Sequence, residues 1–470
     1  MKWDWSGRIS SVELQVAKEA MLTNKVAGEL LPIPRWRYSV LGSILYTLAR
    51  SIGYCIRHPL ETTAIEFNEA LPTYIYFAPT CRNAVLQVES RFPGNSLGFK
   101  GRNCNNFPMR NILVATILSL RSTVILYWIF TDHRWRPWLS DVIFYCLTYR
   151  WAKIRFAHTP HLNFIYSGDH CCFDRGIVDA SSQLGHTTIY LQHAPITHIF
   201  PPLTADYSLL DGASALQTYQ AITGSRGTAL VCGRQYELVA IRDRRKVSRS
   251  VLVCTSPIDN FESWRPIIVA VGKAGYRVAL RTHPAERRQD GWRRLTEELQ
   301  IEWLDPRETE LTSALEHCSM VLAGQSGVLL EAALSGAVSV LIQFPEDTSR
   351  GLYDYYGFSN MGLALLVDPA DISEILEKCN KGEALVATAG VANFDAAYFL
   401  NDNMQLIAIE VILKSNSTKA DLKAAGFRLV SAPRDSLEVF VPHSLSIEAS
   451  RVAFPNSKPG HCLSDNDTIE

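Results

Sequence analysis

From residue 162 onward the chain repeats one local pattern, and that pattern constrains its fold more than any other feature: a short apolar run, a polar turn, then a helical stretch closed by glycine. Residues 162–166 read as a strand, Ser167-Gly168-Asp169-His170 as a turn, the stretch to Leu184 as a helix stopped by Gly185, and residues 187–191 as the next strand. Strands this short and apolar are buried on both faces, and successive ones joined through a helix pair in parallel under a right-handed crossover. The pattern pauses at the charged stretch 242–249, which has no apolar stripe and reads as a linker. It then restarts, with strands at 251–254, 277–280, 301–304, 320–323 and 338–342 and helices at 262–274, 292–299, 311–317 and 328–334. Alternation on both sides of a linker predicts an α/β protein of two doubly wound parallel-sheet domains facing a cleft.

A chain of 470 residues exceeds what one hydrophobic core organises, in keeping with that division. The expected boundaries are 1–240 for an N-terminal α/β domain with a helical N-terminal extension and 250–400 for a second α/β domain. Residues 401–470 are expected to form a return helix and a polar, partly flexible tail with at most a short strand at 437–441. Before residue 73 the one clear element is an apolar helix over 39–56; a strand at 73–78 and a helix at 83–91 begin the alternation.

With 46 basic against 47 acidic residues, the chain has no overall field to attract nucleic acid, and an anionic ligand has to be held locally. The 11 cysteines are scattered, with no CxxC pair or Cys/His cluster at zinc-site spacing. Reduced thiols in a cytoplasmic protein fit that usage, with the adjacent Cys171 and Cys172 read as packing residues. The start of the chain lacks the apolar core of a secretory signal. Residues 112–130 are apolar, but Arg121 near their middle makes a buried helix and strand the better reading than a membrane span. The aromatic and basic stretch 128–136 admits peripheral contact with a membrane.

Three polar turns carry the chemistry, each following a strand, and loops at the carboxyl ends of parallel strands are where ligands bind in such sheets. The first is Arg281-Thr282-His283-Pro284, with Glu286 just beyond. A histidine there can donate to a phosphate or give a proton to a leaving group, and Arg281 adds a forked cationic donor. The bland alternative is a proline-terminated strand. The second is Ala323-Gly324-Gln325-Ser326-Gly327, opening a helix that carries Glu331. Small residues let backbone approach a phosphate, and Glu331 can accept from ribose hydroxyls; the alternative is a helix capped by Ser326. The third is Gln192-His193-Ala194-Pro195, followed by Phe200-Pro201-Pro202-Leu203 and by Asp206 and Asp211-Gly212. His193, Asp206 and Asp211 are candidate bases, while turn chemistry accounts for either aspartate singly. There is no GxxxxGK[ST], no GxGxxG opening a helix and no metal-binding DxD, which excludes a P-loop kinase and a dinucleotide oxidoreductase. No cofactor and no metal is expected.

These residues resemble those of bacterial GT-B-type glycosyltransferases, the broad group of capsular polysaccharide, sialyl- and Kdo-transferases and poly(glycerol phosphate) polymerases. The similarity runs over residues 164–367. It rests on Gly168-Asp169-His170, Tyr190-Leu191-Gln192-His193-Ala194, Phe200-Pro201-Pro202-Leu203 through Asp211-Gly212, Val231-Cys232-Gly233, His283-Pro284, and Gln325-Ser326-Gly327 with Glu331. It implies a GT-B-like pair of domains. It also implies that His283 and Ser326 bind the donor phosphate or its ribose. With the turn chemistry above, Arg281, His283, Gln325, Ser326, Gly327 and Glu331 are expected to hold the nucleotide-sugar donor, and Asp169, His170 and Gln192 to line the acceptor side. The base would be His193, as in the glycerol phosphate polymerases, or Asp211, where the sialyltransferases carry an acidic pair and this chain has Leu210-Asp211-Gly212.

The implied activity is inverting transfer of a sugar to a glycan or lipid-linked glycan acceptor in surface or capsular polysaccharide synthesis. It would take place in the cytoplasm or at the cytoplasmic face of the inner membrane, with peripheral membrane association admitted and no nucleic-acid partner. A nucleotide-sugar 2-epimerase or a polyol phosphate transferase would use the same scaffold, and a nucleotide-sugar-binding subunit of an assembly complex is the non-enzymatic alternative.

Overall fold

The structure, a computed structural model, describes residues 39–57, 73–77, 95–99, 145, 148, 149, 152, 153, 156–168, 172–192, 194–197, 200–222, 224–233, 249–284, 286–349, 352–381, 404–414, 419–430 and 437–443. In chain order the first elements are α1 (Val40–Arg57), β1 (Thr73–Phe77), β2 (Asn95–Phe99), β3 (Leu162–Tyr166), α2 (Cys172–Gln183), β4 (Thr187–Leu191), β5 (Tyr207–Leu210), α3 (Ala213–Ala221) and β6 (Gly227–Val231). The second series runs β7 (Ser250–Thr255), α4 (Phe261–Lys273), β8 (Arg277–Thr282), α5 (Gln289–Leu299), β9 (Glu302–Leu304), α6 (Leu311–Glu316) and β10 (Met320–Ala323). It continues with α7 (Val328–Leu334), β11 (Val338–Ile342), α8 (Pro345–Ser349), β12 (Leu365–Val367) and α9 (Ile372–Asn380). The chain ends with α10 (Met404–Lys414), α11 (Lys419–Ala424), β13 (Phe427–Val430) and β14 (Leu437–Pro442).

The strands form two sheets. The first has eight strands in the order β13-β14-β6-β5-β4-β3-β1-β2, all parallel apart from the antiparallel β13–β14 pair. The second has six parallel strands in the order β12-β11-β10-β7-β8-β9. Helices alternate with strands in both, so the chain is an α/β protein of two doubly wound, essentially parallel sheets. The molecule divides into two compact units. Residues 1–211, 215–235 and 401–443 make the first, and 212–214, 236–400 and 444–470 the second.

The segment after residue 400, expected to be a return helix with a loose polar tail, thus contributes two strands to the first sheet. β14 pairs in parallel with β6, and Leu437, Val439, Phe440 and Val441 are buried. Apolar alternation within a polar stretch was the signal, and only pairing with a distant strand supplies the partner for it. The expected helix at 83–91 and the apolar stretch 112–130 lie outside the described residues.

In the second unit the strand period of two sorts side chains onto two cores. Val251, Val253, Val278, Leu280, Leu322 and Val340 meet Trp264, Ile267, Ile268 and Val271 of α4, Trp292 of α5 and Leu376 of α9. On the opposite face Leu252, Cys254, Val321, Ala323 and Leu341 meet α6, α7 and the loop carrying Phe358 and Met361. Fully burying one such aliphatic side chain contributes about 1.5–3 kcal/mol, so this double layer makes the sheet edges rigid platforms for the turns that follow the strands. Asn260 starts α4, its side chain accepting from the Glu262 amide at 3.1 Å.

Candidate functional site

In the second unit β7 is central, with β8 on one side and β10 on the other. The chain runs from β7 through β8 to the β9 edge and then returns to β10, so the strand order reverses at β7 and β10. A crevice at the carboxyl ends of strands is expected at such a reversal. Register aligns the three ends, pairing Cys254 with both Arg281 and Ala323, and Thr255 with Thr282. The turns at His283 and at Ser326 therefore rise from one edge, separated by two interstrand spacings, roughly 10 Å. That gap suits a ligand with a diphosphate or a phosphate and sugar rather than a lone anion.

The β8 turn is built by strand alternation. Arg281 is 9 % exposed and falls on the face of Cys254; one guanidinium nitrogen donates to the Thr309 carbonyl at 3.2 Å, while its Nε has no hydrogen-bond partner among the described residues. His283 is exposed, its amide bound to the Thr255 carbonyl at 3.0 Å. Its pKa is lowered, first by desolvation and then by Arg281, with Glu286 opposing, so the ring is held toward its neutral form near neutral pH.

Glu286, the third member of the motif, is a brace. Its buried carboxylate receives Arg288 Nε at 3.0 Å, Nη2 at 2.8 Å and the Arg288 amide at 2.8 Å. Burial alone would raise its pKa; the Arg288 hydrogen bonds outweigh this and hold it below the usual range. Arg288 also donates to the Pro257 and Asp259 carbonyls at 2.8 and 3.0 Å and lies over the Phe261 ring. The loop after β8 is thereby clipped to the loop after β7.

The loop after β7 carries residues that sequence reasoning missed. Asp259 is buried, accepts from the Ser256 amide at 2.6 Å, and has its pKa pushed up to about 7, chiefly by desolvation, with Asp347 adding to it. A Cβ on Gly324 would come within 3.0 Å of Asp259 Oδ1, so a small residue at 324 lets the β7 and β10 turns touch. Thr255 and Thr282 are buried, and their hydroxyls have no hydrogen-bond partner among the described residues. Their one sequence signal was position, as polar residues ending otherwise apolar strands.

The β10 turn departs from expectation in two details. Gln325 is buried and committed internally. Its Nε2 donates to Gln343 Oε1 at 3.2 Å and its Oε1 accepts from the Tyr355 amide at 3.1 Å, which ties the turn to β11 and to the loop at 352–358. The N-cap of α7 is Gly327, with no side-chain cap, and Ser326 Oγ accepts from the Val328 amide only at 3.4 Å. Ser326 and Gly327 are half-buried at the edge, and Glu331 is half-buried on α7. Burial raises the Cys254 thiol first; Arg281 opposes that and Glu331 adds to it.

In the first unit Asp169, His170 and His193 lie outside the described residues. Gln192 is buried and bridges two turns: its Oε1 accepts from the Asp211 amide at 2.8 Å and its Nε2 donates to the Ala194 carbonyl at 3.0 Å. Asp211 directly follows β5 and is 1 % exposed. Asp206 stands at the opposite end of β5, where its carboxylate accepts from the Thr188 amide and hydroxyl at 2.8 and 2.7 Å, a structural role. The proline loop is anchored from α2. Buried Arg175 pairs with Asp179 at 3.2 Å, and Asp179 also receives Tyr145 Oη at 3.0 Å and Thr204 Oγ1 at 3.4 Å.

No protein-family model matches the chain, and no curated protein matches it. Among solved structures, the UDP co-structure of MnaA from S. aureus is 8 % identical, with 73 % of this chain and 96 % of that one covered at a TM-score of 0.43. MurG from Acinetobacter baumannii is 9 % identical over 73 % and 100 %, also at 0.43. LpCGTa in complex with UDP is 10 % identical over 73 % and 99 %, again at 0.43. Likeness at these values carries no weight for activity, and the fold class rests on the strand pairing itself.

A cavity of about 500 Å³ lies at the other end of β7 and β8, among Val251, Leu252, Arg277, Ala279, Glu302 and His317, away from the three turns. Within it Arg277 pairs with Glu302 at 2.7 Å, and Glu316 also lines it. Among the described residues no group of three or more His, Cys, Asp or Glu side chains is placed to share a metal ion.

Proposed function

We propose that this chain is a GT-B-type glycosyltransferase that moves a sugar from a nucleotide-sugar donor to a hydroxyl of a glycan or lipid-linked glycan in bacterial surface polysaccharide synthesis, at the cytoplasmic side of the membrane. The observation that carries the reading is the alignment of three polar turns on one edge at the strand-order reversal, with His283 on one side of β7 and Ser326-Gly327 on the other. Small residues at 324 and 327, buried hydroxyls at Thr255 and Thr282 with no hydrogen-bond partner among the described residues, and a cation at Arg281 suit a phosphate-bearing ligand.

In this reading the acceptor oxygen bonds to the anomeric carbon as the bond to the nucleotide phosphate breaks, with inversion. His283 and the turn at Ser326 take up the charge that develops on the departing phosphate. Glu331 accepts from the ribose. His193 is the general base of the proposal, since Asp211 is only 1 % exposed.

The test begins with thermal shifts in UDP, CMP, CDP and GDP, because a ligand of the folded state raises the melting temperature. One of these nucleotides should stabilise the protein, and His283→Ala should weaken its binding about tenfold to a hundredfold, the worth of a hydrogen bond to a charged group. Incubating the matching nucleotide-sugar with and without acceptor then separates activities. Conversion of donor to its 2-epimer without acceptor would replace transfer by epimerisation, and no stabilisation by any nucleotide would sink the reading.

A further inference from the structure

The turn at Ser326-Gly327 has little support of its own. Helix α7 opens at Gly327 with no side-chain cap, Ser326 Oγ accepts from the Val328 amide only at 3.4 Å, and the Leu329 amide reaches the Ser326 carbonyl only at 3.4 Å. A first turn bonded this loosely frays unless the residues before it are fixed from elsewhere.

The fixing comes from the next strand. Gln343 directly follows β11, and Gln325 and Gln343 each stand two residues beyond Ala323 and Leu341, which are paired in register. Both glutamines are buried, 8 % and 6 % exposed. The Gln343 amide donates to the Val367 carbonyl of β12 at 2.9 Å, so its backbone is itself pinned to the sheet. Its Oε1 accepts twice, from Gln325 Nε2 at 3.2 Å and from the Asp354 amide at 3.1 Å, while its Nε2 donates to Thr348 Oγ1 at 3.2 Å.

Backbone donors set the direction of this chain of bonds. The Asp354 amide requires an oxygen, which turns Gln343 Oε1 toward it. The Tyr355 amide does the same to Gln325 Oε1 at 3.1 Å, leaving Gln325 Nε2 to face Gln343. The loop that supplies these amides is locked as well. Asp354 takes a left-handed φ of 42°, which an aspartate tolerates, and its carboxylate accepts from the Ser359 and Asn360 amides, both at 3.1 Å. Phe358 and Met361 anchor the loop in the core that also holds Val328, Leu329 and Leu330 of α7.

We infer that Gln343 is a positioning residue for the turn at Ser326, acting through Gln325 to hold the backbone of Ser326 and Gly327 in one geometry. The inference deepens the proposed function and rests on its reading of that turn as the donor-phosphate site.

Hydrogen exchange in the full-length protein without nucleotide reads the positioning itself, at the Leu329 and Leu330 amides that close the turn on the Ser326 and Gly327 carbonyls. Gln343→Met removes both acceptor bonds and should speed exchange there about tenfold or more. Gln325→Glu, a milder cut, keeps the bond from the Tyr355 amide, sets oxygen against oxygen at the glutamine pair, and should speed the same amides. Gln343→Glu retains an acceptor for both donors and should stay within about threefold of wild type. Nucleotide affinity should fall about tenfold in Gln343→Met and be largely restored in Gln343→Glu. Ile268→Val, in the core on the opposite face of the sheet, should lower the melting temperature and leave that affinity unchanged. Unchanged exchange in whichever of Gln343→Met and Gln325→Glu folds would overturn the assignment. So would a loss of affinity in Ile268→Val equal to that in Gln343→Met. Absence of nucleotide binding in the wild-type protein would instead count against the transferase reading, and the exchange rates would still decide the part played by Gln343.

Discussion

His283 combines an exposed position with a lowered pKa, and the two together set a direction for donor binding. Desolvation and then Arg281 lower the ring below its ordinary 6.5, so near neutral pH most of it is uncharged. A phosphate beside the ring favours the imidazolium, making the bound-state pKa higher than the free-state value. Affinity for the nucleotide should therefore rise as pH falls from neutral and level off once the free ring is itself protonated. Titrating affinity calorimetrically from pH 8 to 5 checks this, and His283→Ala should flatten the profile; Asp259, with its pKa pushed up to about 7, is the neighbouring group the variant controls for. Arg281 offers a contrast at the same scale, a buried cation whose place beneath the edge follows from strand alternation.

At the scale of elements, close approach decides more than propensity. Gly176 in α2 packs against the helical residues Tyr145, Thr148 and Tyr149, and a Cβ there would come within 2.2 Å of Thr148 Oγ1 and 2.6 Å of the Tyr145 carbonyl oxygen. An Ala normally favours a helix by close to 1 kcal/mol over Gly. Here the clash should win, and Gly176→Ala should lose about 1–3 kcal/mol, seen as a lower urea midpoint with an unchanged slope. The same helix holds the Arg175–Asp179 pair that anchors the proline loop, so the damage should extend to that loop. In the second unit the clip from Arg288 to the Pro257 and Asp259 carbonyls plays the corresponding part, joining loops from two strands before any ligand arrives.

At the scale of the molecule, the chain returns to its first unit after building the second. Residues 401–443 belong to the first unit, where β14 covers the edge of β6 and buries Phe440, and β13 adds Phe427. A chain ending at Leu400 would expose that edge and the apolar surface beneath it, an invitation to intermolecular strand pairing. It should be recovered mainly as aggregate, with little monomer in gel filtration. An equal yield of folded monomer would show that the two strands are dispensable.

What local pattern carries was legible from the residues alone. The strand and helix alternation from Leu162 to Ile342, the parallel pairing, and the placing of His283 and Ser326 just past strand ends all follow from short-range periodicity and turn chemistry. Side-chain commitments were not legible, because they depend on partners far along the chain. Gln325 reads as a ligand residue until Gln343 and the Tyr355 amide occupy it, Gln192 until Asp211 does, and Asp259 is invisible until Gly324 is brought against it. The inward turn of Ser43 and Thr47 on α1 is of the same kind. Period can draw a helix's apolar stripe, but which stripe faces the protein is decided by the surface it packs on.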